Sequence, residues 1–153
     1  MDSALVQILV LIISALAIAG LVWLNARLGG WTPARVESLA AARAVLEFDV
    51  IGFRAAQGVL AADGRAALFT EDGGERLGLV TALGDGLVSR ALGAGDVRAV
   101  DRDGAGLKLA LNDYTYPAVT LTLADEDEAE SWRRAIEALT AAGARQNAVE
   151  ASA

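Results

Sequence analysis

The sequence has neither a cysteine nor a histidine in its 153 residues. Without cysteine there is no disulfide framework and no thiol chemistry, which suits a reducing compartment. Without histidine the commonest general base and the commonest metal ligand are both missing. Lysine is nearly absent as well: Lys108 stands alone against 12 arginines. With abundant alanine and glycine, that preference matches the codon usage of a GC-rich bacterial genome. The serines are few and scattered with no histidine to activate them, and the acids sit mostly in turns, where no paired-carboxylate arrangement is recognisable. The expectation is a protein that is not an enzyme, with no catalytic residues, no cofactor and no metal.

The net charge of −7 is unevenly placed. Residues 1–47 carry Asp2, Glu37 and Glu47 against Arg27, Arg35 and Arg43, so the whole acidic excess lies beyond them. An acidic domain repels phosphate backbones and anionic headgroups, which excludes nucleic acid and polyanionic lipid as expected partners.

What the sequence does have is one long apolar run. Ala4 to Leu24 holds 21 residues with no charge and no proline. At about 1.5 Å rise per residue such a helix spans roughly 30 Å, the hydrocarbon thickness of a bilayer. A buried core helix is usually shorter. A cleaved signal peptide would use the small-x-small pattern of Ala17-Ile18-Ala19, but Met1-Asp2-Ser3 offers no basic leader and the apolar run continues through Trp23 and Leu24. The reading is an uncleaved anchor, with Trp23, Arg27 and Trp31 at its membrane interface. Gln7 and Ser14 share a helix face, and Ala15 and Ala19 form a small-xxx-small pair; these mark a candidate helix–helix contact. Arg27, Arg35 and Arg43 follow the span and no basic residue precedes it. The positive-inside rule therefore places the short N-terminus outside and the remaining chain in the cytoplasm, at a bacterial inner membrane.

After the anchor, Asn25 to Gly30 reads as an exit loop, and Thr32-Pro33 as the cap and first position of a helix running through Phe48. From Gly52 the texture changes. Turn signals recur about every ten residues: Asp63-Gly64, Asp72-Gly73-Gly74, Asp85-Gly86, Gly93-Ala94-Gly95, Asp103-Gly104 and Asn112-Asp113. Between them lie seven short runs: 57–62, 65–71, 76–83, 86–92, 97–101, 106–111 and 118–124. This is the pattern of consecutive antiparallel hairpins, each strand half-buried. Leu107, Leu109 and Leu111 alternate with Lys108 and Ala110, and Val119, Leu121 and Leu123 with Thr120 and Thr122. A final amphipathic helix follows Asp125, with Trp132, Ile136 and Leu139 on one face. Gly143 stands at its C-cap and the tail 144–153 is frayed. The expected divisions are 1–24 (anchor), 25–47 (juxtamembrane loop and helix), 48–143 (β-rich domain) and 144–153 (tail). The fold class is α+β: one transmembrane helix, then a seven-stranded antiparallel bent sheet or partly open barrel capped by a C-terminal helix.

Seven short strands followed by one helix carrying Trp132 resemble the pleckstrin-homology-like superfold over about residues 56–142. The resemblance implies a bent sheet plugged at one end by the helix. Phosphoinositide-binding members carry clustered basic residues between their first two strands. Here that segment is Ala61-Ala62-Asp63-Gly64-Arg65, so headgroup binding does not follow, and fold alone does not give function.

The remaining motifs read as structure. Asp125, Glu126, Asp127, Glu128 and Glu130 suit a charged helix N-terminus. Asp101-Arg102-Asp103-Gly104 lacks the later ligands of a calcium loop. Tyr114 and Tyr116, two apart beside Pro117, and Trp132 are candidate partner contacts, with filling of the sheet corner as the other reading. The function expected is a membrane-anchored binding or scaffolding module, or an accessory subunit of a membrane complex with a protein partner. The alternative is a carrier of a small apolar ligand or lipid in the sheet's cavity.

Overall fold

The computed structural model describes residues 3–28 and 33–150. The chain divides into two compact units, Met1–Pro33 and Ala34–Ala153.

The first unit is one helix, α1 (Ser3–Arg27), whose 25 residues give a length of about 37 Å. None of its residues is buried, and it is long and apolar enough to cross a membrane, a test that a signal sequence also passes. It runs past the exit expected at Asn25: Arg27 caps its last turn, with the guanidinium 5.7 Å from the centre of the Trp23 ring one turn back. A cation at that end suits the helix dipole and the aromatic face. Trp31 and Thr32 lie outside the described residues.

The second unit opens with an extended segment rather than with a helix at Pro33. The Ala34 and Val36 amides donate to the Gly84 and Gly64 carbonyls, at 2.9 and 2.8 Å. These donors are thus spent on two turns of the sheet, and the helix starts later. It is α2 (Leu39–Asp49), capped by Ser38, whose hydroxyl accepts from the Ala41 amide at 3.1 Å. Arg43 donates to the Ala56 carbonyl and Glu47 accepts from the Ala55 amide, fastening α2 to the first strand. The helix therefore groups with the strands in the compact unit Ala34–Ala153.

Seven strands follow in two antiparallel sheets. The first has the order β1 (Ala55–Leu60), β2 (Ala66–Glu71), β3 (Leu77–Leu83), β4 (Gly86–Leu92); the second has β5 (Val97–Asp103), β6 (Gly106–Leu111), β7 (Ala118–Thr122). They do not close into a continuous barrel, although the Ala62 amide beyond β1 reaches the Thr122 carbonyl of β7 at 2.7 Å. The last element is α3 (Glu126–Glu150). Its N-terminus is capped reciprocally: Asp125 accepts from the Glu128 amide and Glu128 accepts from the Ala124 amide. The protein is thus α+β, with seven antiparallel strands in two sheets and a C-terminal helix.

The main core lies between the sheets and under α3, joining Leu68, Leu79, Leu107, Leu109 and Leu121 to Ala129, Trp132, Ile136 and Leu139. The expected inward sets on β6, β7 and α3 are all there. A second core lies on the outer face of the first sheet, where Ala67, Phe69 and Val80 meet Val36, Ala42, Leu46 and Phe53. Consequently β2 and β3 are buried on both faces, not half-buried as their short runs suggested. Two glycines admit this layer. A Cβ on Gly78 would lie 2.3 Å from Leu46 and 2.8 Å from Phe53, and one on Gly58 would lie 2.4 Å from the Phe69 ring.

Gly143 is not a C-cap. Its φ is not positive, and α3 continues through it to Glu150, taking in residues expected to fray. A Cβ there would lie 2.0 Å from the Ala94 Cβ, so the glycine lets the β4–β5 loop touch the helix.

Candidate functional site

The site forms along the free side of β4, the terminal strand of the first sheet. The β3–β4 turn is Gly84-Asp85, with Gly84 at φ 63° and Leu83 facing Gly86. A two-residue turn with a left-handed glycine first joins a hydrogen-bonded closing pair, and bonded and non-bonded pairs alternate from there. With the observed register, Val88, Arg90 and Leu92 exchange bonds with β3, while the main-chain groups of Leu87, Ser89 and Ala91 face the open edge.

A groove of about 580 Å³ runs beside that edge. Ser89 to Leu92 form one wall, and Leu111 to Tyr114, at the end of β6 and the start of the β6–β7 loop, form the other; Val50 and Asp96 complete it. The register assigns the side chains. Ser89 and Ala91 lie opposite Val80 and Gly78 on the face covered by α2, whereas Arg90 lies opposite Leu79 on the inner face. Arg90 ion-pairs with Asp113, and its guanidinium stands 5.1 Å from the centre of the Tyr116 ring.

Asp113 organises the second wall. One carboxylate oxygen accepts from the Thr115 hydroxyl at 2.7 Å, the Thr115 amide at 2.8 Å and the Tyr116 amide at 3.2 Å, and the other takes Arg90. These donors, the Thr115 hydroxyl foremost, hold the carboxyl at about 2, well below its ordinary value. Asn112 is tied across to the β4–β5 loop, donating from its side chain to the Gly95 carbonyl at 2.7 Å and from its amide to the Asp96 carbonyl at 2.8 Å. Tyr114 therefore projects from a fixed loop and is 102% exposed. Phe48 in the last turn of α2 (86% exposed) and Ile51 in the connection from α2 to β1 (94% exposed) lie on either side of Val50 in sequence. The Ser89 hydroxyl is buried with no hydrogen-bond partner, alone in this among the side-chain oxygens and nitrogens of the described residues.

The structure separates the three aromatic residues singled out from the sequence. Tyr114 lines the groove, Tyr116 is half-buried against the core under Arg90, and Trp132 is a core residue at 9% exposure. Gln7, Ser14, Ala15, Ala19, Trp23 and Arg27 are all exposed along α1. Sequence reasoning missed Ser89, Arg90, Asp96 and Asp113. Asn112-Asp113 carried the signal of a turn, but nothing local announces a partner 23 positions away at Arg90.

A second groove, of about 690 Å³, lies between β5 and α3 and is lined by charge. Arg102 reaches Glu126 and Glu130, Arg133 bridges Glu130 and Glu137, and Arg134 adds to Glu130. Arg133, then Arg134, hold the Glu130 carboxyl at about 2. Of the acids expected to crowd the start of α3, Asp125 and Glu128 are thus spent on capping and Glu126 and Glu130 on this network.

Chemically, the β4 groove offers main-chain hydrogen-bonding groups, carboxylates and one exposed aromatic ring. Fold and site together define a small α+β domain with an open sheet edge, on the same chain as an apolar helix of membrane-spanning length. No protein-family model, curated protein or solved structure matches the chain.

Proposed function

We propose that this protein is a membrane-anchored, non-enzymatic binding module that holds a protein partner at a bacterial inner membrane, as a scaffold or as an accessory subunit of a membrane complex. The observation that carries the reading is the groove beside β4, where Tyr114 stands fully exposed on a loop fixed by Asp113 and Asn112. An aromatic side chain on a rigid support loses little conformational entropy on binding, which is why such residues dominate interface energetics.

Supporting features come from both units. α1 has the length of an anchor, and the basic bias of Arg27, Arg35 and Arg43 on its C-terminal side supports a reading with the domain in the cytoplasm and the N-terminus outside. Seven strands in two sheets followed by a helix are compatible with a pleckstrin-homology-like domain. Phosphoinositide headgroups are not its ligands on this reading, because the β1–β2 turn carries Arg65 alone, its amide donating to Asp63 at 2.9 Å. For the lipid-carrier alternative, the space between the sheets is taken by leucines 68, 79, 107, 109 and 121, all fully buried.

The test is purification of the full chain from native-host membranes in mild detergent, with proteins and lipids both quantified. A protein in fixed stoichiometry, lost on Tyr114→Ala, is the expected result. Stoichiometric lipid with no protein would replace the module by the carrier.

A further inference from the structure

We propose that the open edge of β4 receives an extended, basic and apolar peptide segment of a protein partner, added as a fifth strand to the four-stranded sheet. The proposal rests on the binding-module reading and specifies its site and the chemistry of its partner.

Sheet edges present rows of unpaired amides and carbonyls, and proteins ordinarily blunt them with proline, lysine, bulges or a covering element. The other edges here are managed. A bulge lies between Ala55 and Gly58 of β1, and the Ala62 amide just beyond that strand is paired with β7. β5 carries a bulge between Val97 and Ala99, and its Arg102 is clamped to Glu126 and Glu130 of α3. β4 is less protected. Its sequence, Gly86 to Leu92, contains no proline and no lysine, its register is regular throughout, and its single charge, Arg90, points inward, where Asp113 neutralises it.

An added strand would take its main-chain bonds from Leu87, Ser89 and Ala91 and set alternate side chains to either side. One set would meet the groove wall at Leu111 and Tyr114; the other would meet Val50 on the side of α2. Ser89 sits at the middle of this unpaired main-chain run. Charge selects among peptides. Asp96 and Asp113 face the groove with Arg90 as the one cation among its lining residues, and Asp2 and Arg27 cancel, so the whole net charge of −7 belongs to residues 34–153. Positive side chains are therefore favoured on the incoming strand. A lipid surface fits less well: hydrocarbon offers the edge amides no hydrogen-bond partners, and anionic headgroups would meet carboxylates.

Proline is the discriminating substitution. At Ala91 the amide points away from β3, so Ala91→Pro removes no ladder bond of the sheet but denies the edge one donor and obstructs an added strand. Leu87→Pro acts in the same way at the other end and serves if Ala91→Pro does not fold. The probe is a phage-displayed library of random dodecapeptides, selected on the full chain in lipid nanodiscs, followed by a synthetic copy of the most enriched peptide. The expected result is enrichment of sequences alternating Arg or Lys with apolar residues. The peptide should slow amide exchange at Leu87, Ser89 and Ala91 but not at Thr120. Its affinity should fall about tenfold or more in Ala91→Pro, the size of a lost buried hydrogen bond.

Several results would overturn the proposal. They are no enrichment at all, a peptide that protects other amides, and binding that both proline variants leave unchanged. Self-association abolished by Ala91→Pro would give the edge to a second copy, and protection of the edge amides in nanodiscs without peptide, lost on Tyr114→Ala, would give it to lipid. If native-host purification yields a stoichiometric protein while the edge amides stay unprotected, the module reading stands and this proposal alone falls.

Discussion

The two sheets solve the same packing problem differently. β5–β7 bury one face: Leu107, Leu109, Leu111, Val119 and Leu121 point into the core, and Lys108, Thr120 and Thr122 point out. β2 and β3 bury both faces, one against the second sheet and one against α2. A strand covered on one side alternates apolar and polar residues, and a strand covered on both loses the alternation. In the first sheet the second layer is made with small residues, Ala67 and Gly78, beneath Leu46 and Phe53. The lesson is that a helix lying outside the C-terminal cap can be an integral part of a small β domain, seated by close packing and fastened by Arg43 and Glu47 to the main chain of β1.

The strongest test of that difference removes the outer knob. Leu46→Ala should destabilise the domain by about 2–5 kcal/mol, as much as Leu109→Ala in the inner core, because both side chains are fully buried. Chemical denaturation followed by tryptophan fluorescence would measure both. If Leu46→Ala costs well under 1 kcal/mol, α2 is an appendage and the two sheets are equivalent after all.

Smaller but more specific is the glycine that makes room. Gly78→Ala should cost about 1–3 kcal/mol, since its Cβ would fall 2.3 Å from Leu46 and 2.8 Å from Phe53. Gly95→Ala, with nothing within 4 Å of its Cβ, should change stability by no more than about 0.5 kcal/mol. Equal effects in the same unfolding experiment would refute the close-packed outer layer.

Next is pH, which acts through one carboxylate at each groove, Asp113 held by the Thr115 hydroxyl and amide and Glu130 held by Arg133. The Asp113 and Glu130 carboxyls are held at about 2 in the folded protein, against ordinary values of 3.8 and 4.5. Their folded pKa values are lowered, so the unfolded chain takes up protons first as pH falls. Their stabilisation is complete above the unfolded values and is lost progressively as pH drops through about 4 towards 2. Thermal melts between pH 7 and 2 should show that loss, and Asp113→Asn should flatten part of it. An acid limb unchanged by Asp113→Asn would mean that the loop is fixed by something other than this carboxylate. The smallest effect is expected at Tyr114, where Tyr114→Ala should shift stability by no more than about 0.5 kcal/mol because the side chain is fully exposed. A larger loss in the same melts would make Tyr114 structural.

How much of this was legible follows from the same contrast. The second sheet reads directly from Gly106 to Leu123, because each side chain's environment alternates with its neighbour's. α3 also reads directly on its Trp132, Ile136, Leu139 face. The start of α2 did not: Thr32-Pro33 looks like a cap by local chemistry, but the Ala34 and Val36 amides are claimed by Gly84 and Gly64, positions far along the chain. Gly143 misled for a related reason, as a glycine needed for contact with Ala94 is indistinguishable in sequence from one that ends a helix. Of the groove, Tyr114 was visible as an aromatic beside a turn. The pairing of Arg90 with Asp113 and the open side of β4 are products of register, which residue patterns do not state.

The central claim is that the β4 groove meets a protein in the cell. Site-specific photocrosslinking in native-host membranes tests it most directly, with the photoreactive residue placed at position 114 or 91 and, as a control, at the exposed position 120 of the second sheet. One discrete protein adduct of the same mass is expected from positions 114 and 91 and none from 120. No adduct from 114 and 91, or the same adduct from all three positions, would contradict it.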